Sequence, residues 1–251
     1  MRKGKCLQLP FFILTEIDFM DEKLLDFLSS CVTPERLALF DRVLDNRTNY
    51  ITVVLEDIYQ PQNASAVLRS CDCFGIQNIH IIENRNIFKV DKEVDMGATK
   101  WLTLHKYNKK ENNSLEAIRA LRKKGYRIVA TTPHHNENLL PDFNLSKGKA
   151  AFIFGSEKPG ISEIIRNNAD EFIKIPMFGF TESFNISVSA ALVLYELANK
   201  LRNTENINWK FTQDEKNEMK LKWLKATIKK SKLIEKRFYE NQLNKNAYPF
   251  V

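Results

Sequence analysis

The sequence predicts an α/β fold, a parallel sheet with helices on both faces. Short, nearly continuous apolar runs recur at 50–56 (YITVVLE), 78–82 (NIHII), 126–131 (YRIVAT), 150–154 (AAFIF) and 172–177 (FIKIPM). Strands buried on both faces read this way. Segments with apolar residues at helical spacing lie between them, so strands and helices alternate. At 251 residues and 43% apolar content, the chain has enough material for one well-cored domain with appendages.

The elements follow in order. Residues 18–30 read as a first short helix. A second has Thr33 as N-cap and Pro34 at its first position, and runs to about Asp45. Leu37, Phe40, Val43 and Leu44 form its apolar stripe, with Arg36, Arg42 and Arg47 off it. After the strand at 50–56, a helix spans Ala64 to Phe74 and closes at Gly75, with Asn63 where an N-cap belongs. Ser114 to Lys124 is an amphipathic helix closed by Gly125, and Ser162 to Asn168 is a short one. A long helix from about Ile186 to Leu201 completes the core. RNTENIN is then a linker, and Thr212-Gln-Asp-Glu215 is a capping box opening a long helical stretch. The expected organisation is therefore an N-terminal helical extension (1–48), a central domain (49–202) and a basic helical extension (203–251).

Composition excludes several classes. No apolar run approaches the ~18–20 residues of a membrane span, so no membrane partner is expected. The opening MRKGKCLQLPFFIL has basic residues before apolar ones, but its apolar part is short, contains Pro10 and runs into Glu16 and Asp18. Without a small-residue cleavage site it does not read as a signal peptide. Of the four cysteines, Cys71 and Cys73 lie two apart on a helix, unsuited to a disulfide or a zinc knuckle, and Cys6 and Cys31 are isolated. Reduced thiols and a cytoplasmic location are expected. The four histidines (His80, His105, His134, His135) lack ligand spacing, so no metal is expected. Formal charge is +7, and residues 209–251 hold eleven Lys/Arg against five acids. A solvated helix face accounts for that run, and so does a polyanionic partner.

Three segments depart from what a bland α/β domain needs. In QPQNASAVLRSCDCFG (60–75), Asn63 suits an N-cap and Arg69 points away from the apolar stripe. In AFIFGSEKPGIS (151–162), a strand ends at Gly155 and a turn carries Glu157, Pro159 and Gly160 into a helix. Neither phosphate-loop pattern is present there, and a plain strand-to-helix turn would explain both glycines. In EFIKIPMFGFTESFNISVSAALVLYE (171–196), a strand breaks into a polar loop with Thr181, Glu182, Ser183 and Asn185. That loop enters a helix built from Ser187, Ser189, Ala190 and Ala191. Polar residues at the mouth of a buried helix are costly unless they bind something.

Together, in this order and spacing, the segments resemble the SpoU family of RNA ribose 2′-O-methyltransferases, within the knotted SPOUT class. Asn63 and Arg69 match the first family motif, and Gly155, Glu157 and Gly160 the second. Ile175, Pro176, Met177, Gly179, Ser183, Asn185, Ser187, Ala190 and Ala191 match the third. The similarity covers about residues 33–202. Within the family the chain looks most like the TrmH branch, which methylates the D-loop guanosine at tRNA position 18; Met96-Gly97-Ala98-Thr99-Lys100-Trp101 belongs to that likeness.

The resemblance implies a trefoil knot in the C-terminal half of the domain, S-adenosylmethionine as cofactor, a homodimer and a tRNA partner. It implies catalytic roles for Arg69, Asn63, Glu157, Ser183 and Asn185. Cofactor binding would fall to Thr131, Phe154, Gly155, Ile175, Pro176, Met177, Ser183 and Phe184, and RNA binding to Arg36, Arg42, Lys100, Lys220, Lys222, Lys225 and Lys229. An rRNA ribose methyltransferase and a non-catalytic RNA-binding protein on the same scaffold are the alternatives. Gln62, where some tRNA members carry histidine, Phe184, where leucine is usual, and Pro159, where relatives vary, are the departures.

Overall fold

The computed structural model describes residues 21–133 and 138–247. The start of the helix expected at 18–30, Cys6, His134, His135 and the terminal 248–251 lie outside the described residues. The chain divides into two compact units. One is Asn46–Phe211; the other joins the described residues up to Asp45 with those from Thr212 onward.

The larger unit is a six-stranded sheet in the order β3-β2-β1-β5-β4-β6, with every neighbouring pair parallel. Its strands are β1 (Ile51–Glu56), β2 (Asn78–Ile82), β3 (Thr103–Tyr107), β4 (Arg127–Thr131), β5 (Ala150–Phe154) and β6 (Glu171–Ile173). Between them run α3 (Pro61–Cys73), α4 (Lys92–Asp95), α5 (Asn113–Lys123) and α6 (Glu163–Asn168), and α7 (Ile186–Asn203) follows β6. In β1 the alternation decides the layers. Ile51, Val53 and Leu55 pack with residues of α3 and α7 on one face, whereas Val54 packs with residues of α5 and α6 on the other. The expected helices on both faces are present.

Strand order reverses at β1. From there the chain steps outward to β2 and β3, then returns to place β5 on the other side of β1. In open α/β sheets ligands bind outside the carboxyl ends of strands at such a reversal. Glu56, the last residue of β1, is buried there and acts as an internal clamp. Its carboxylate accepts from Ser114 Oγ (2.6 Å) at the start of α5, and from Ser162 N (2.9 Å) and Oγ (2.7 Å) at the N-cap of α6.

The smaller unit contains residues 21–29 as helix α1, then α2 (Pro34–Leu44), α8 (Gln213–Thr227) and α9 (Ser231–Ala247). Thr33 caps α2 through its side chain, and the Thr212/Glu215 capping box opens α8, both as the sequence reads. Phe40 of α2 meets Trp223 of α8 edge-on, ring centroids 5.5 Å apart.

Several boundaries differ from expectation. Strand β3 was not anticipated: TLHKY has no continuous apolar face, being an edge strand with partial exposure. The strand expected to reach Met177 stops at Ile173, because Lys174 turns aside to pair with Asn138 and Leu140. The stretch after Thr212 is two helices, broken where Lys230 takes a left-handed conformation (φ 58°). Arg47, read as lying off the α2 stripe, is buried and ion-paired with Asp72 of α3.

On the sheet face, the buried His80 ring stacks on His105, centroids 4.6 Å apart, and its Nδ1 lies 2.8 Å from Tyr107 Oη. Burial first, then the neighbouring His105 and Lys124, push the His80 pKa down to about 3. In the unfolded chain it returns to roughly 6.5, so unfolding takes up a proton between those values. Stability from this group is full above pH ~6.5 and declines as pH falls toward ~3. Denaturant melts of wild type and His80→Gln across this range should show a shallower acid decline in the variant.

Candidate active site

The carboxyl ends of β4, β5 and β6 open into a cavity of about 480 Å³. Thr131, Phe154 and Ile173 form its floor, one from each strand. One wall is the Gly155–Ile161 loop; the other is the segment from Ile175 through Met177 to Ser183, Phe184 and Asn185, continued by the first turns of α7. Such a volume suits a nucleoside-sized ligand.

The Gly155–Gly160 loop folds back on itself through a bridge between Ser156 and Gly160. Its two glycines are required for different reasons. A Cβ on Gly155 would come within 3.0 Å of the Gly160 carbonyl and the Ile161 nitrogen, closer than real Cβ contacts allow. Gly160 instead has space, but its φ of +87° is a left-handed conformation that side chains disfavour.

One buried amide ties the three motifs together. Asn63, only 7% exposed, does not cap its helix: α3 begins at Pro61, its N-cap is Gln60, and Asn63 falls inside the first turn. Its side chain is thereby free to bridge. Nδ2 donates to Glu157 Oε1 (2.5 Å) and Gln60 Oε1 (3.0 Å), and Oδ1 accepts from Asn185 Nδ2 (3.1 Å). Asn185 is the N-cap of α7, its Oδ1 accepting from Ser187 N (2.8 Å) and Oγ (2.7 Å). Both amide orientations are fixed by this chain, since Glu157 can only accept when ionised.

Of the residues expected to hold a cofactor, Thr131, Phe154, Gly155, Ile175, Met177, Ser183 and Phe184 line the cavity, and Pro176 does not. Thr131 Oγ1 donates to the Ile153 carbonyl (2.9 Å), which fixes its rotamer. Glu157 and Asn185 also line it; Asn63 stands behind them. Arg69 is exposed on α3, six residues or about 9 Å of helix rise from Asn63, and outside the cavity. Sequence reasoning missed Lys158, Arg166 and Thr132 on the cavity wall and Gln60 behind it. Pro61 at the first helical position was the available signal for Gln60, because it starts the helix early enough to turn Asn63 inward.

The expected RNA-binding residues are dispersed. Arg36 and Arg42 are exposed on α2, and Lys100 lies over the Trp101 ring at 4.6 Å. Lys220 pairs with Asp41 (2.7 Å) and Lys225 with Glu235 (2.5 Å), which reduces the one-sign field read from the terminal lysines. Burial lowers the pKa of Lys222, while Lys229 is exposed.

A doubly layered parallel α/β domain, with a cavity over its strand ends walled by three hydrogen-bonded motifs, defines the class of protein. Residues 50–195 match the SpoU rRNA Methylase family, and the chain belongs to that family. A tRNA (guanosine(18)-2′-O)-methyltransferase of Borreliella burgdorferi is 38% identical over 213 residues, 85% of this chain and 95% of that protein. The enzyme of the same name from Thermus thermophilus is 34% identical over 164 residues, 65% of this chain and 82% of that one. A crystal structure of an Aquifex aeolicus TrmH/SpoU tRNA modifying enzyme shares the fold, with TM-score 0.68 and 24% identity over 78% of this chain and 98% of that one. Among the described residues no helix is long and apolar enough to cross a membrane.

The loop geometry makes a direct prediction. Gly155→Ala should destabilise the larger unit by ~1–3 kcal/mol through forced displacement of the Gly160 backbone. Gly179→Ala, where an added Cβ meets nothing within 4 Å, should be nearly neutral; urea denaturation of both variants reads the difference.

Proposed function

We propose that this protein transfers a methyl group from S-adenosylmethionine to the 2′-hydroxyl of a tRNA ribose, that of the D-loop guanosine at position 18. The observation that carries the reading is the Glu157–Asn63–Asn185 chain of hydrogen bonds at the cavity. Family membership and the names of the similar proteins support it. The cavity suits the cofactor on three counts. Its size fits, and its floor and walls offer Phe154, Ile173, Ile175 and Met177 to an adenine ring. Among the described residues, 175–184 make no backbone–backbone hydrogen bonds, so their N–H and C=O groups can serve a purine edge. Thr131, Phe154, Gly155, Met177, Ser183 and Phe184 would hold it, with Pro176 shaping the turn between Ile175 and Met177.

The cofactor supplies an activated, electrophilic methyl group on sulfur. The chain's own residues place the nucleophile. Glu157 orders the loop wall through Asn63, and Ser183 with Asn185 offers hydrogen-bonding groups on the ribose side. A guanidinium is a poor proton acceptor in proteins, so Arg69 positions the 2′-oxygen and a neighbouring phosphate, and the proton leaves to phosphate or water.

A homodimer belongs to the same reading. Phe184, Val188, Leu192 and Tyr195 are exposed along one side of the loop and α7 at spacings of four, four and three, a stripe that a second copy would cover. Arg69 would then act on a site completed by the other subunit. The trefoil knot and the cytoplasmic location rest on the family. Arg36, Arg42, Lys100 and Lys229 would meet tRNA directly, and Lys220, Lys222 and Lys225 on rearranging their present surroundings.

The test uses labelled S-adenosylmethionine and unmodified tRNA transcripts with G or A at position 18, digested to nucleosides. Ribose-methylated guanosine from the G transcript alone is the expected result. Incorporation only into rRNA fragments would overturn the tRNA assignment, and none into any RNA would sink the catalytic one. Arg69→Ala should lower the rate by about a hundredfold to a thousandfold while S-adenosylhomocysteine binding, read by calorimetry, is retained.

A further inference from the structure

A second, smaller concavity lies on the other side of the Gly155–Gly160 loop. It holds about 40 Å³ and shares Ser156, Lys158, Pro159 and Gly160 with the main cavity. Its remaining walls include Asp57, Arg85 and Asn86, so it sits where β1 and β5 end, at the reversal of strand order. That is the favoured ligand position of an open α/β sheet.

Its loops are pinned by hydrogen bonds, and its walls carry two acids and two cations. Asp57 is nearly buried and left-handed (φ 52°). Its Oδ1 accepts from the backbone N–H groups of Asn84 (2.7 Å), Arg85 (2.8 Å) and Asn86 (3.4 Å), and its carbonyl accepts from Asn86 Nδ2 (2.8 Å). Glu83 Oε1 fastens the far side of that loop by accepting from Phe88 N (2.9 Å). Both acids of the concavity are thus committed, Glu56 to the two serines and Asp57 to the loop. Its cations are the exposed members. Arg85, 67% exposed at its side chain, makes only a long ion pair with Asp57 (Nε to Oδ2, 4.0 Å), and Lys158 is exposed at the rim.

The same pinned loops display two apolar side chains. Ile58 is buried, and the next residue, Tyr59, is 72% exposed; Ile87, on the other loop, is 75% exposed. Tyr59 follows Asp57 by two residues, so its backbone is within ~7 Å of that hub. An exposed aromatic near exposed cations is a seat for an unpaired base and its phosphates.

We propose that Tyr59, Arg85 and Lys158 form a nucleotide-holding rim for single-stranded RNA beside the methyl-transfer cavity. Tyr59 stacks on an unpaired base next to the methylated nucleotide, and Arg85 with Lys158 takes the flanking phosphates. The notch is too small to admit a nucleotide, so the base lies across its rim. The inference rests on the proposed RNA substrate and adds a recognition surface distinct from the basic terminal helices.

The experiment measures three quantities on the full chain: KM for an unmodified tRNA transcript, RNA affinity across a salt series, and S-adenosylhomocysteine affinity by calorimetry. Tyr59→Ala should raise KM and weaken RNA binding about tenfold, and Tyr59→Phe should restore both. Arg85→Ala should lower the slope of log affinity against log salt by ~0.7–0.9. Cofactor-product binding should not change in any of them. Lys123→Ala, at the C-terminal end of α5, should match wild type throughout. Wild-type KM, affinity and salt slope in both Tyr59→Ala and Arg85→Ala would overturn the rim. So would a fall in sedimentation mass in these variants, which would assign the patch to a second copy. If the wild type binds RNA but transfers no methyl group, the catalytic reading fails and the affinity series still decides the rim; a wild type that does not bind RNA overturns both.

Discussion

The buried amide of Asn63 is the constraint on which the functional half of this structure hangs. A primary amide has a donor end and an acceptor end, and here each is spent on a different distant segment. The donor end holds the Glu157 loop and the acceptor end holds the cap of α7. An apolar replacement would leave Glu157 and Asn185 without the shared partner that ties their two segments together. A carboxylate in its place would face Glu157 with like charge. Glu56 makes the matching joint on the other face of the sheet, between α5 and α6. The strand ends are therefore stapled on both faces of the sheet.

Electrostatics divides the surface differently from what the charge count suggests. The excess of lysine in the terminal helices looked like a uniform basic field, yet Lys216 and Lys220 are matched by Asp45 and Asp41, and Lys225 by Glu235. Exposed pairs of this kind contribute little stability, but they cancel much of the local potential. Near the cavities the balance runs the other way. At the smaller concavity Glu56 and Asp57 are buried under hydrogen bonds, and the exposed charges are Arg85 and Lys158.

Much of this was legible in the chain because the physics was local. Residues 150–154 are apolar on both faces and 78–82 mostly apolar, so both read directly as strands, and the Thr33 and Thr212 caps announce their helices. The three motif segments also stood out, since each sets costly polar groups or glycines where a plain fold would not. What stayed hidden depended on neighbours. Strand β3 is held by pairing to β2 rather than by its own pattern. Strand β6 ends early because Lys174 finds partners in another loop. The break at Lys230 carries no glycine or proline to mark it. Tyr59 and Arg85 lie in loops without periodicity, and the Asp57 hub, formed across 27 to 29 residues, joins those two loops.

Asn63 lies 94 residues before Glu157 and 122 before Asn185. Contacts of such separation form late, because loop-closure entropy must be met before they contribute. On the ribosome the consequence is sharper still. A nascent chain can complete β1, α3 and β2 while the residues that finish the site are yet to be added. The cavity gains its last wall only when the start of α7 has emerged and docked. Partly made chains thus carry a nearly complete sheet without a pocket, and chemistry is withheld until the polypeptide has closed on itself.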